Sequence, residues 1–196
     1  YGAREFRERY FGEISHLDTA FGRLMDYLEE SALAENTIVF FTSDHGEMAA
    51  AHGMFGKSVM HDESIRVPML VRGPGIEPAV VDEPLGTVDV LPTLLELAGA
   101  PPCSTAEGRS FAGLLTDERV PRSGRTIIIE HKTLCAVNAR WKLECDRQGN
   151  PLHLFDRLAD PYELEDRLDA PGCTTVVNSL HAAIREWLDR VVPHGC

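Results

Sequence analysis

The sequence predicts an α/β fold that is followed by a small antiparallel sheet with a covering helix. Three observations lead there. A long amphipathic pattern near the N-terminus precedes an apolar strand, several short strand patterns begin at residue 126, and a second amphipathic pattern follows them. A chain of 196 residues with 43% hydrophobic residues can bury a core of this kind.

The first thirty residues predict one long helix. Its apolar positions recur at three- and four-residue steps, which places them on one face that we expect to pack on a sheet. That stripe consists of Tyr10, Ile14, Leu17, Phe21, Leu24, Met25 and Leu28. Residues 38–41 then form an uninterrupted apolar run, which suits a strand buried on both faces of a parallel sheet.

Asp44 and His45 follow this strand directly and are the first candidate site residues. Ligands of α/β sheets collect just beyond the carboxyl ends of the strands. A carboxylate oxygen and a neutral imidazole nitrogen could supply half the shell of a divalent cation. Taken alone, the pair also suits a turn carboxylate beside a solvated histidine.

The middle of the chain alternates loops and short elements. Residues 45–64 are rich in Gly, His and Met without periodicity, as expected of an active-site loop, and a strand is predicted at 66–71. Asp89 can cap a helix that has Pro92 in its first turn and ends at Gly99. A short helix is predicted near 111–115, and a boundary near residue 120 separates predicted domains 1–120 and 121–196.

The last third predicts the small antiparallel sheet and its helix. Strand patterns cover residues 126–131, 134–138, 140–145 and 152–155, with a turn at 146–151. The final helix carries one apolar stripe that should cover the sheet. Its members are Val177, Leu180, Ile184, Trp187, Leu188 and Val191.

The composition of the chain restricts the classes of partner that the protein is expected to bind. A net charge of −12 without a basic stripe argues against nucleic acid, because phosphates would be repelled. The apolar runs are too short to span a bilayer, so no membrane partner is expected. Five cysteines without a Cys-x-x-Cys pair predict buried thiols and favour a cytoplasmic location.

Six short motifs occur in one order along nearly the whole chain. The first five motifs are residues 42–47, the pair His52-Gly53 and Gly56-Lys57, residues 63–68, residues 88–99 and residues 107–111. The sixth combines residues 154–156 with residues 160–164. In this order and spacing they resemble the C-terminal half of a sulfatase of the alkaline phosphatase superfamily, close to members of the choline-sulfatase and phosphonate monoester hydrolase types. The resemblance implies that the first domain is part of an alkaline phosphatase-like α/β/α sandwich.

The resemblance also implies site roles. Asp44 and His45 match ligands of one divalent metal ion, and Lys57 matches the lysine that contacts the sulfate, which makes it both the catalytic and the substrate-binding candidate. The metal stays open between calcium and manganese, because calcium prefers oxygen ligands whereas imidazole favours manganese, zinc or iron.

The family's nucleophile is a formylglycine made from a cysteine in a Cys-x-Pro-x-Arg or Cys-x-Ala-x-Arg motif, and no such motif occurs here. We therefore expect the formylglycine in an upstream half, and we expect this fragment alone to be inactive, because hydrolysis without the nucleophile loses its central step.

Three functions remain open at this point. The first is hydrolysis of a sulfate ester, either a small molecule or a carbohydrate. The second is hydrolysis of phosphonate or phosphate esters on the same scaffold. The third is a non-catalytic metal-binding module. A fragment with an exposed strand edge should also self-associate.

Overall fold

The structure, a computed structural model, describes residues 2–117 and 124–191, and they group into two compact units. Residues 58–60 belong to the second unit together with the described residues from 79 onward, and the other described residues form the first unit. The predicted boundary near residue 120 lies outside the described residues, so the division into domains 1–120 and 121–196 stays a prediction.

The first unit begins with the predicted long helix. Helix α1 spans Ala3–Glu30, and the ring of Phe21 packs against that of Phe41 with 5.0 Å between centroids. The expectation that the whole apolar stripe packs on the sheet is wrong for the part of the chain described, because α1 has no buried residue. Stripe residues Tyr10, Ile14, Leu17 and Leu24 are all exposed.

The strand before Asp44 pairs differently from the expectation. Strand β1 (Val39–Thr42) lies antiparallel to β2 (Met69–Arg72), and short helix α2 (Asp62–Ile65) precedes β2. β1 is half-buried and has one neighbour among the described strands, so the prediction of a strand buried on both faces of a parallel sheet is wrong here. An apolar run reports burial but not direction, which is why the sequence could not distinguish the two pairings.

Strand β2 also begins later than predicted, at Met69 rather than at residue 66. The residue before it is Pro68, which has no amide hydrogen to give to a ladder and is therefore placed at strand starts. The 3₁₀ turn Ala34–Asn36 connects α1 to β1.

In the second unit, Asp89 has a different role from the predicted helix cap. Helix α3 spans Val90–Leu97. As predicted, Gly99 closes its C-terminal end, with a φ of +65° in the left-handed region. Asp89 is completely buried and accepts hydrogen bonds from the Gly86 and Arg109 amides at 2.8 Å each. The Arg125 guanidinium forms an ion pair with the Asp89 carboxylate, with 2.6 Å between Nη1 and Oδ2. Asp89 thus occupies the predicted N-cap position of α3, but its side chain makes no capping hydrogen bond to that helix and organises the surrounding loops instead.

The remaining predicted elements of the second unit are present. Short helix α4 spans Ala112–Thr116. Four strands follow in consecutive antiparallel order: β3 (Ile127–Glu130), β4 (Leu134–Val137), β5 (Trp141–Cys145) and β6 (Pro151–Asp156). Helix α5 (Thr174–Val191) covers the sheet and buries Leu180 and Ile184 against it. This is the predicted antiparallel sheet with a covering helix.

A charged pair lies inside this second unit. The Lys142 and Glu163 side chains are each 1% exposed and form an ion pair. The Lys142 ammonium also donates to the backbone carbonyl of Met60 at 2.7 Å. A buried ammonium needs such partners, because desolvation penalises an unpaired charge.

Three of the four cysteines among the described residues follow the prediction, and Cys196 lies outside those residues. Cys135, Cys145 and Cys173 are buried free thiols, and burial raises the pKa of Cys145 to about 12. Cys103 is exposed, so the expectation of burial is wrong for it. Among the described residues, no helix combines the length and apolarity that crossing a membrane requires.

Candidate functional site

Asp44 stands at the end of β1 in a tight turn. Its Oδ1 accepts the His45 amide at 2.9 Å, and the Ser43 hydroxyl donates to the His45 carbonyl, also at 2.9 Å. The amide of His45 holds the pKa of the Asp44 carboxyl below its usual value. The side chain is 82% exposed, so this anionic carboxylate is accessible to a ligand.

The surroundings of His45 determine which ring nitrogen can act as a ligand. Nδ1 lies 2.9 Å from the Gly46 carbonyl oxygen, which can only accept, so Nδ1 carries the hydrogen. In the neutral tautomer that has its hydrogen on Nδ1, Nε2 keeps a lone pair. A backbone carbonyl on the other ring nitrogen is the usual arrangement behind a metal-ligating histidine.

Lys57 completes the group of predicted residues. Its ammonium lies 2.5 Å from His45 Nε2, to which it donates, and the Asp44 Oδ2 lies 3.3 Å from the same nitrogen. The structure thus brings together all three side chains that the sequence singled out. A carboxylate, an imidazole lone pair and an ammonium meet at one exposed point of the first unit.

Only glycine fits at position 46, because the neighbouring backbone leaves no room for a Cβ atom. Its amide donates to the Ser64 carbonyl at 2.8 Å, and a Cβ at this residue would lie 1.9 Å from the Glu63 carbonyl oxygen. The chain therefore passes directly against the backbone of residues 63–64, which fixes the direction in which His45 leaves β1.

The chain from Asp44 to Lys57, called the site loop below, has an unusual backbone. Ala49, Ala50 and His52 have φ values of +46°, +69° and +49°. Each left-handed residue other than glycine costs roughly 1–2 kcal/mol, so the contacts around the loop must hold it. Two of them come from α1, where Arg7 donates to the Ala49 carbonyl at 2.7 Å and Phe6 packs edge-on against Phe55.

The other two histidines in this part of the chain form a separate pair. The rings of His52 and His61 stack with 3.8 Å between centroids, and Glu63 lies 3.9 Å from His52. No motif favours a catalytic role for either histidine. Their mutual stacking agrees with local packing within the first unit.

Comparison with known proteins identifies the family. The family model for sulfatases matches residues 2–100. This chain belongs to the sulfatase family. It is 31% identical over 95% of its length to an ulvan-active sulfatase of Formosa agariphila and 35% identical over 86% to a choline-sulfatase of Rhizobium meliloti. The phosphonate monoester hydrolase of Agrobacterium radiobacter has the same fold, with a TM-score of 0.81, 24% identity, and coverage of 92% of this chain and 40% of that one.

The sulfatase chain spans well under half the length of these relatives, 39% of the ulvan-active sulfatase and 34% of the choline-sulfatase. Among the described residues, no cluster of three or more His, Cys, Asp or Glu side chains could hold a metal ion. Asp44 and His45 lie side by side and carry the oxygen and ring nitrogen that divalent metals bind, and a metal on Nε2 would replace the bond from Lys57.

Sequence reasoning missed one residue that holds the site together. Glu47 Oε1 accepts two backbone amides of the site loop, from Ala49 at 3.1 Å and from Gly56 at 2.6 Å. A glutamate two residues after a candidate ligand is consistent with many roles. The nine-residue separation between Glu47 and Gly56 carries no periodic signal that could have predicted this contact.

Proposed function

We propose that this chain forms part of the active site of a sulfatase that hydrolyses organic sulfate esters. Asp44 and His45 would be two ligands of a divalent metal ion, and Lys57 would bind and stabilise the sulfate group. The nucleophile would be a formylglycine carried outside these 196 residues. The observation that carries the proposal is the convergence of the three side chains, with His45 Nε2 within 3.3 Å of both Asp44 and Lys57.

The chemistry of sulfate ester cleavage supports these roles. Breaking the ester bond builds negative charge on the leaving oxygen, while the sulfuryl oxygens stay anionic. A fixed ammonium such as Lys57 stabilises that charge, provided that it is oriented before the reaction. The bound metal would act as a Lewis acid on the same group. The metal itself stays undecided between calcium and manganese, with the His45 nitrogen favouring manganese.

The substrate class is proposed from the relatives. One relative is the ulvan-active sulfatase. Another, 33% identical, is an endo-4-O-sulfatase of Bacteroides thetaiotaomicron. A carbohydrate sulfate ester is therefore our first candidate substrate. A small-molecule ester is the second, by likeness to the choline-sulfatase.

A phosphonate or phosphate ester is the alternative substrate. His45 is compatible with either substrate, because the resemblance places an aspartate–histidine pair both in sulfatases and in hydrolases of the phosphonate monoester type. Both substrates present a tetrahedral anionic centre to the same cation and ammonium, so the geometry serves either.

Paired 4-nitrophenyl sulfate and phenylphosphonate ester substrates test the proposal in the full-length protein. We expect the sulfate ester to be preferred, and we expect Asp44→Ala and Lys57→Ala each to lower kcat/KM by about 100-fold or more, as removal of one preorganised stabilising group does. Chelation of divalent metal should abolish activity, and re-addition of manganese or calcium should restore it and identify the better metal.

Lys132→Ala is the matched control for Lys57→Ala, since Lys132 is an exposed lysine of the second unit. It should leave kcat/KM unchanged. Preference for the phosphonate ester would establish the alternative substrate. Absence of activity on both esters, with the formylglycine confirmed by mass spectrometry, would favour a non-catalytic metal-binding module.

A further inference from the structure

Glu47 is half-buried in the first unit, and its carboxylate lies between the two ends of the site loop. Its Oε1 accepts the amide of Gly56 at 2.6 Å and the amide of Ala49 at 3.1 Å. Gly56 is the residue immediately before Lys57. An ionised carboxylate makes stronger hydrogen bonds to amides than a neutral acceptor does, so this contact is well suited to holding a backbone segment in place.

A second bond secures Gly56 from its other side. The Gly56 carbonyl accepts the amide of Met48 at 2.8 Å, and the Met48 side chain is 1% exposed. Both peptide groups of Gly56 are therefore fixed to Glu47 and Met48, the two residues that follow the Asp44–Gly46 turn. The buried Met48 side chain anchors that pair in the first unit.

The geometry explains why such a clamp is needed. Lys57 and His45 are twelve residues apart in the chain, yet their nitrogens lie 2.5 Å apart. The intervening residues Ala49, Ala50 and His52 adopt left-handed conformations, which are unfavourable by themselves. Without an acceptor for the Gly56 amide, the loop would relax and Lys57 would lose its orientation toward His45.

We propose that Glu47 is a positioning residue of the sulfatase site, holding Lys57 in the neighbourhood of His45 by clamping the backbone at Gly56. The inference rests on the proposed function of Lys57. Glu47 acts through its neighbour and does not touch the substrate. Its Oε1 accepts two amides of the site loop, as expected of a residue that holds the loop.

A double-mutant cycle in the full-length protein tests the coupling. We expect Glu47→Ala to lower kcat/KM by about 10- to 100-fold, because a small misplacement of a catalytic group has effects of that size. In a Lys57→Ala background the same substitution should have almost no further effect. Glu47→Gln retains an oxygen acceptor and should recover most of the loss. An equal loss with and without Lys57 would overturn the inference.

A second readout separates this inference from the proposed function. The rate at which the Lys57 amine is acetylated by acetic anhydride is measured by mass spectrometry, with Lys132 as the internal reference. Glu47→Ala should speed the modification of Lys57 relative to Lys132, since the backbone that holds Lys57 is released at Gly56, and Glu47→Gln should change it less. An unchanged ratio would overturn the inference. If the wild-type protein hydrolyses neither ester, the proposed function fails, and this ratio alone decides the role of Glu47.

Discussion

The site loop and the C-terminal sheet are stabilised in opposite ways. Strands β3 to β6 pair in register with a single irregularity between Glu144 and Cys145, and their inner face forms a continuous apolar core with α5. The site loop has left-handed residues and is held by individual polar contacts such as those of Glu47. The packed core supplies most of the stability, whereas only the loop can place polar groups where they are exposed to a substrate.

This difference separates stability from function in the molecule. Substitutions in the core of the second unit should lower the free energy of unfolding. Substitutions in the site loop should change the arrangement of Lys57 and His45 at a smaller cost in stability. The predictions that follow test that separation, beginning with the largest expected effect.

Lys142→Ala should be the most destabilising change. Its ammonium is buried with Glu163 and bonds the Met60 carbonyl, so removal leaves a buried carboxylate and a carbonyl without this partner. Breaking a buried pair from one side costs about 3–5 kcal/mol. Urea unfolding followed by circular dichroism measures this as a fall in the free energy of unfolding.

The control for this prediction replaces both charges. A Lys142→Met, Glu163→Gln double variant removes the uncompensated charge and should recover most of the lost stability, because buried ion pairs contribute little net free energy over apolar replacements. Lys132→Ala, at an exposed lysine, should change stability by less than about 0.5 kcal/mol. If Lys142→Ala unfolded no more easily than Lys132→Ala, the buried pair would have no structural role.

Gly46→Ala should have the second-largest effect, and its consequence should be local. The added methyl would overlap the Glu63 carbonyl at 1.9 Å, so the backbone of the site loop must shift. Overpacking of this kind costs about 1–3 kcal/mol. We expect a modest fall in the thermal unfolding midpoint together with loss of most of the ester hydrolysis proposed for the full-length protein.

Gly12→Ala provides a matched comparison with the opposite sign. Gly12 lies within α1 and has no atom within 4 Å of the position of a Cβ. Alanine is favoured over glycine in a helix interior by about 1 kcal/mol, so this variant should be more stable and equally active. Equal effects of the two substitutions would show that the close approach at Gly46 does not constrain the loop.

The two regions also differ in how far the sequence predicts them. Residues of the α5 stripe such as Leu180 and Ile184 are buried as the periodicity predicts, and the four strands of the C-terminal sheet begin and end within two residues of their predicted bounds. Local patterns specify these elements because turns and alternation are encoded within a few residues.

In the site loop, the sequence predicts the participating side chains but not the contacts that position them. Asp44, His45 and Lys57 follow from motifs. The Glu47 bond to Gly56 and the antiparallel pairing of β1 depend on how the chain returns on itself, which no local pattern reports. The buried position of Asp89 is a further case, since a helix-capping residue and a buried loop organiser look identical in sequence.

The smallest predicted effect concerns the ion pair between Arg140 and Asp156 at the edge of the C-terminal sheet. The guanidinium donates to both carboxylate oxygens, at 3.1 Å from Nε and 2.6 Å from Nη2, and it holds the pKa of Asp156 below its ordinary value of 3.8. A carboxyl whose pKa is lowered in the folded state contributes stability above its unfolded pKa and loses it as the pH falls through the folded pKa.

Arg140→Gln should therefore lower stability near neutral pH, and the difference from the wild type should shrink as the pH falls below about 3.8. Arg140 also lies over the Trp141 ring at 4.9 Å, but that contribution does not titrate in this range. Urea midpoints measured from pH 7 to pH 2 isolate the pH-dependent part. In an Asp156→Asn background the Arg140→Gln difference should be independent of pH, and a persistent pH dependence there would assign the effect to another carboxyl. Because Arg140 is half exposed, added salt should reduce the difference further, as it does for ion pairs in contact with solvent.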